Sequence, residues 1–239
     1  MGIVKLEEKM NKYGWIIFSV VVVGLLGGLI IWTRLANPTA DVSNVENNSI
    51  LAASVESGNI ADHVKGNKES KVLIVEYGDF QCPGCGSAHP NVNTLMEEYG
   101  DRVAFVFRNF PLTSIHPNAK VAAAAAESAG LQGKYWEMHD IIYQNQSAWE
   151  NLDSSKRVDA FVAFANQIGL DSAKFNEGLT NPDLVKKVNF DLELGKQNKV
   201  SSTPTFFLNG ELLDTTSAEG LLQGDLTAIK AKLDALLAE

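Results

Sequence analysis

The spacing of apolar positions changes several times along this chain, and each pattern predicts a different element. From Trp15 to Trp32 the run WIIFSVVVVGLLGGLIIW has no polar face, and Ser19 is its only polar side chain. A helix of that length reaches roughly 27 Å, close to the hydrocarbon thickness of a bilayer. A tryptophan at each end suits the headgroup boundary, where an indole keeps its N–H wet. Farther on, KVLIVEY (71–77), VAFVF (103–107) and TFFLN (205–209) are short apolar runs of strand-forming residues.

Between these strands the spacing turns helical. Val92, Leu95, Met96 and Tyr99 share a face in a helix predicted from Pro83 to Tyr99, stopped by Gly100. His116-Pro117 opens an alanine-rich helix that ends near Gly130, and KYWEMHDIIYQ (134–144) continues with one apolar face. Asp153, Asp171 and Asn181-Pro182 each have the cap chemistry of a further helix start. Trp136, Trp149, Phe161 and Phe164 are expected to fill the core of this helical region. Asn209-Gly210 before a second short run predicts a hairpin, and a closing helix is expected from about Ala218 to Leu237.

The predicted fold class is therefore α/β: a small sheet flanked by helices, with a helical insertion at about residues 112–199 and one transmembrane helix in front. The expected organisation is a cytoplasmic N-terminus (1–14), an anchor (15–32), a linker (33–57) and one folded domain (58–239). The linker reading rests on an Asn- and Ser-rich composition without sustained periodicity.

Charge sets the orientation. Lys5, Lys9 and Lys12 precede the apolar run and only Arg34 follows it closely, which places the N-terminus inside and the rest outside. A cleavable leader is the rival, but the run is long for one and TRLANPTAD is a poor cleavage site. After residue 34 there remain 16 Lys/Arg and 27 Asp/Glu, a balance of −11. That surface argues against nucleic acid as a partner.

The 2 cysteines lie in EYGDFQCPGCGSAHP (76–90), at Cys82 and Cys85. At helical i, i+3 spacing they can close a disulfide. A loop so short makes a weak staple. A metal site needs more ligands than the pair supplies: His89 could add one, but His63, His116 and His139 are scattered. A redox couple explains more. Pro83 falls at the first helical position, which puts Cys82 at the N-cap, where unpaired N–H groups and the helix dipole favour thiolate. Cys82 is then nucleophile and leaving group, and Cys85, one turn in, the resolving thiol.

VEYGDFQCPGC after a strand and STPTFFLNG before a hairpin resemble the thioredoxin fold. The long helical tract between them resembles the DsbA-like branch of thiol-disulfide oxidoreductases, over roughly residues 59–239. The resemblance implies that Pro204 is cis, that the backbone of Thr203 pairs with an extended substrate, and that Glu76 is a buried acid serving Cys85. It implies no cofactor beyond the Cys82–Cys85 disulfide, reduced exported proteins as partners, and a quinone-linked membrane reoxidant. The chain departs from the pattern at Gly84, where strong oxidants often carry a hydrogen-bonding side chain. Dithiol oxidase is thus the leading expectation, with a reductase or isomerase and a non-catalytic client-binding module as rivals. Arg108, just after the second strand, is expected to be a solvated surface residue.

Overall fold

The structure, a computed structural model, describes residues 12–36 and 40–238. They fall into two compact units, the second beginning at Ala40. The first is one helix, α1 (Lys12–Ala36). Trp15, Ile16, Phe18 and Leu25 are exposed on it, and Ser19 turns its hydroxyl back to the Trp15 carbonyl at 2.9 Å. Among the described residues no helix is long and apolar enough to cross a membrane. The side chains of α1 are described only from Gly14 to Gly28, so the end of the expected 15–32 span lies outside them, as do residues 1–11 of the expected cytoplasmic segment.

The second unit is built on a five-stranded sheet in the order β1-β3-β2-β4-β5. Here β1 is Val64–Gly66, β2 Leu73–Gly78, β3 Ala104–Asn109, β4 Thr205–Leu208 and β5 Glu211–Leu212. β2 and β3 run parallel, joined by α2 (Pro83–Tyr99), and every other pairing is antiparallel. The central strand β2 is buried along its whole length. Alternation then sorts its side chains between two cores. Leu73, Val75 and Tyr77 pack with Ala104, Val106, Phe110, Phe190 and Leu194. Ile74 joins Phe105, Phe107, Phe206, both cysteines and the apolar face of α2.

Between β3 and β4 the insertion forms α3 (Ala119–Gly130), α4 (Tyr135–Gln144), α5 (Gln146–Trp149), α6 (Ser154–Gln167), α7 (Ser172–Leu179) and α8 (Pro182–Gln197). Its caps are those expected: the Asp153 carboxylate accepts from the Lys156 N–H, Asp171 from Ala173 and Lys174, and Asn181 from Asp183 ahead of Pro182. Trp149 and Phe161 are fully buried, with Trp136 and Phe164 at the margin of the same core.

Three features differ from the sequence reading. The closing helix is two, α9 (Thr215–Gln223) and α10 (Thr227–Leu237), because Gly224 adopts φ 88° and ends the first in a left-handed cap. Strand β1, only three residues long, lacked enough periodicity to be seen. The expected linker packs on the sheet from Ala40 onward, with Val42 and Asn47 buried and Ile50 and Leu51 against the second core.

Arg108 explains that last difference and is itself a correction. Its side chain is 0% exposed and paired with Asp62 at 2.7 Å. It also donates to Asn47 Oδ1 at 2.6 Å and to the Ser49 carbonyl at 2.9 Å, so the segment judged a tether supplies its solvation. Lys187 Nζ reaches Asp62 at 3.1 Å and Asp191 at 2.7 Å, which ties α8 into the same cluster. Burial alone would raise the Asp62 carboxyl, but Lys187 and Arg108 outweigh it and hold it at about 2. Removing one member of such a buried pair strands the other charge. Arg108→Met is therefore expected to lower stability by about 3–5 kcal/mol, measured by urea unfolding; a loss below 1 kcal/mol would contradict this account.

Candidate active site

The site begins with the alternation along β2. Glu76 stands opposite Phe107 on one side and Phe206 on the other. It is 3% exposed. The strand then gives way at Gly78, where a Cβ would come within 2.2 Å of the Phe107 ring. The turn closes when the Cys82 N–H donates to the Asp79 carbonyl at 3.0 Å. Cys82 is the N-cap of α2 with φ −72° and ψ 124°, and Pro83 occupies the first turn, as the spacing predicted.

Both thiols are free. Cys85 is fully buried, while Cys82 keeps 8% of its surface. The Thr203-Pro204 peptide bond is cis, and the Cys82 thiol donates to the Thr203 carbonyl at 3.3 Å. Gly84 lies against the same strand: a Cβ there would stand 3.2 Å from Pro204 Cδ and 3.7 Å from Cys82 Sγ. Cys82, Cys85, Gly84, Thr203 and Pro204 thus meet at one point on the domain surface, Pro83 is exposed beside them, and Glu76 lies beneath.

The electrostatics of the pair are opposite. The Cys82 thiol is lowered from 9.0 to about 5, first by a hydrogen bond from Cys85, then, against the cost of burial, by the Thr203 side chain and the backbone N–H groups of Cys85 and Gly84. Cys85 is pushed well above 9.0, chiefly by burial, although the Asp79 N–H stands 3.5 Å from its sulfur. Glu76 is raised to about 8, first by burial and then by the charge of Cys82. One sulfur is a thiolate at neutral pH, the other a thiol, and the nearby carboxyl can hold a proton.

Other residues hold this turn in place, and the sequence reading passed over them. The Asp79 carboxylate accepts from the N–H groups of Gln81 and Leu112, each at 2.8 Å, and meets His116 Nδ1 at 2.8 Å. Gln146 donates to the carbonyls of Phe80 at 2.8 Å and Cys82 at 2.9 Å. Gln81 accepts from the Asn118 N–H at 2.7 Å and donates to the Glu150 carbonyl at 2.6 Å. Asp79 and Gln81 stood in plain view as polar residues flanking a buried phenylalanine, but nothing local pointed to their distant partners.

His89 turns away from the cysteines. Its Nε2 lies 3.0 Å from Asp140 Oδ1, with His139 Nδ1 2.9 Å from the same oxygen. Among the described residues these three form the one grouping with metal-ligand proximity. Lys65 Nζ, 3.2 Å from Asp140 Oδ2, already brings a positive charge to that carboxylate.

A family model described as thioredoxin matches residues 58–224. The chain belongs to that thioredoxin family. A Na(+)/H(+) antiporter, NhaA 1, from Salinispora arenicola is 41% identical over 149 residues, 62% of this chain and 22% of that protein. The chain thus spans about a fifth of the length of that curated relative. Among solved structures, oxidised BdbD from Bacillus subtilis has TM-score 0.62 at 20% identity, covering 80% of this chain and 98% of that one. The thiol-disulfide exchange protein alpha-DsbA2 from Wolbachia pipientis has TM-score 0.61 at 20% identity, covering 73% and 87%. The thioredoxin-like fold, with DsbA-like structural neighbours, is therefore established, and the matched thioredoxin segment includes the helical insertion.

The pH behaviour follows from the two sulfurs. Alkylation of the reduced protein by iodoacetamide is expected at Cys82 alone, with its rate rising through a midpoint near 5. Because folding lowers this thiol, its contribution to the stability of the reduced form is complete above the unfolded value of 9.0 and is lost as pH falls through about 5. Thermal unfolding at pH 4 and pH 7 checks the sign: the reduced form should gain on the oxidised one as pH rises between them.

Proposed function

We propose that this protein is an extracytoplasmic thiol-disulfide oxidoreductase, and that it acts as a dithiol oxidase on exported proteins. The observation that carries this reading is a Cys82 thiolate at a helix N-terminus, packed against a cis Thr203-Pro204 bond, with a buried thiol one turn behind it. A substrate thiolate attacks Cys82 of the Cys82–Cys85 disulfide. A mixed disulfide forms, and the electron pair of the broken bond stays on Cys85, which takes a proton from Glu76. A second substrate thiolate then displaces Cys82, leaving an oxidised substrate and a reduced enzyme. The backbone of Thr203 is the proposed pairing edge for the extended substrate.

A stabilised thiolate favours the reduced enzyme and makes the disulfide a stronger oxidant. At pH 7 a thiol at about 5 is ionised where one at 9.0 is not, so the shift raises the reduction potential of the couple. A reductase or isomerase is the second reading. It is favoured by Gly84, which brings no side-chain donor to a point 3.7 Å from the Cys82 sulfur.

For the setting, we propose that residues 15–32 anchor the protein in a membrane with the N-terminus cytoplasmic and the redox domain outside. The apolar run of residues 15–32 in the sequence and the lysines ahead of it support this. The antiporter relatives are consistent with a membrane setting. A quinone-linked membrane protein is the proposed reoxidant, by resemblance to the DsbA-like branch, and reduced exported proteins are the proposed substrates. An acidic domain leaves nucleic acid outside this proposal.

The deciding measurement is the Cys82–Cys85 reduction potential. A value near −120 mV is expected, and one near −270 mV would assign the reductase reading instead. Cys82→Ser should abolish oxidation of a reduced client; unchanged oxidation would leave only a client-binding role.

A further inference from the structure

Asp79 meets both cysteines through its backbone, and its side chain is gripped from several sides. The Gly78–Asp79 peptide plane has a partner at each end. Its carbonyl accepts from the Phe110 N–H at 2.7 Å, and its N–H points at Cys85 Sγ at 3.5 Å. A trans peptide carries these two groups on opposite sides of one rigid plane, so whatever fixes the plane aims the N–H.

The Asp79 carboxylate supplies a second hold on that plane. It is buried, and one oxygen accepts from the Gln81 N–H at 2.8 Å while the other accepts from the Leu112 N–H at 2.8 Å and from His116 Nδ1 at 2.8 Å. All of these partners are donors. Asparagine would turn an NH2 group at one of them, so only a carboxylate satisfies them all. Phe110 and Leu112 follow β3 in one segment, which therefore grips the peptide and the side chain together. The turn itself has other closures: the Cys82 N–H on the Asp79 carbonyl at 3.0 Å, and Gln146 on the carbonyls of Phe80 and Cys82. What the carboxylate adds is the aim of the Asp79 N–H.

Cys85 is the sulfur that needs such a donor, being fully buried among apolar neighbours. An N–H already in place requires no reorganisation when charge develops, and its bond to a charged acceptor is stronger than to a neutral one. Resting on the oxidoreductase reading, we propose that Asp79 is a positioning residue for thiol exchange: its carboxylate, held by Gln81, Leu112 and His116, keeps the Asp79 N–H on Cys85 Sγ while that sulfur carries charge. In the first step a substrate thiolate bonds to Cys82 Sγ, the Cys82–Cys85 bond breaks, and its electron pair leaves on Cys85. The substrate sulfur is oxidised and Cys85 is reduced. The Asp79 N–H keeps its own proton and donates a hydrogen bond to the leaving thiolate until Glu76 protonates it. In the reverse direction the same N–H steadies Cys85 as the attacking thiolate.

Asp79→Asn in the full chain tests this in two settings. In the first, the oxidised protein is mixed with glutathione, quenched with acid, and the mixed disulfide followed by mass; here Cys85 must leave. In the second, a Cys85→Ser background carries a preformed Cys82–glutathione disulfide that is cleaved with dithiothreitol, and Cys85 takes no part. Asp79→Asn is expected to slow the first reaction about tenfold, the loss of one hydrogen bond to a charged group, and to leave the second unchanged. An unchanged first rate overturns the proposal. So does an equal slowing of both, which would show that the variant only misplaces the turn. If Asp79→Asn does not fold, His116→Ala, which removes one donor from a less buried position, decides by the same two rates. Failure of the wild-type protein to form a mixed disulfide would instead remove the redox reading itself.

Discussion

The site depends on a carboxyl buried with a thiolate, and not a cation, as its neighbour. The same sheet solves the problem of buried acids in two ways. On one face Asp62 is gripped by Arg108 and Lys187 and stays ionised down to about 2. On the other, Glu76 sits between Phe107 and Phe206 with Cys82 as its nearest charge, and is driven up to about 8. A group that takes or gives a proton near neutrality cannot be locked in an ion pair, and a group that anchors a strand cannot be left unpaired. Alternation along β2 and β3 delivers both, with Arg108 beside Tyr77 on one face and Glu76 beside Phe107 on the other.

The two sulfurs divide along similar lines. Cys82 borrows the backbone N–H groups at the start of α2, which cost nothing to leave pointing outward, and so becomes ionised. Cys85, one turn deeper, finds mainly apolar neighbours and stays protonated. Three residues of separation are enough because the helix turns the second sulfur from the domain edge into its core. Gly84 has its own reason: Pro204 stands 3.2 Å from where its Cβ would be, so whatever occupies this position also presses on the Thr203-Pro204 segment.

Much of this was legible from neighbouring residues. CPGC after a strand put Cys82 at a helix N-cap, and the resemblance to the thioredoxin fold implied a buried Glu76 and a cis bond at Thr203-Pro204. What escaped was decided at a distance. Arg108 looked like any arginine leaving a strand, because its counter-charge at Asp62 and its carbonyl at Ser49 come from a segment with no periodicity of its own. That segment looked like a tether because its contacts are few and specific, not a repeating apolar stripe. Gly224 was read through as helix because the leucine spacing continues past it, although its φ of 88° breaks the helix there. Gln146 grips a turn some 60 residues upstream, and no local pattern encodes that.

The grips on the redox turn carry a consequence for how the chain acquires its chemistry. Asp79, Phe80, Gln81 and Cys82 are held by Leu112, His116, Asn118, Gln146 and Glu150, all of which come later in the chain. Thr203, the other support of the Cys82 sulfur, comes later still. A polypeptide elongated only as far as residue 111 already contains both cysteines and Glu76 but none of these supports. During synthesis the pair is therefore an ordinary dithiol, slow to react at neutral pH, and its reactivity appears only when the last elements close over it. The protein's own maturation is in this way kept separate from the exchange chemistry proposed for the folded domain.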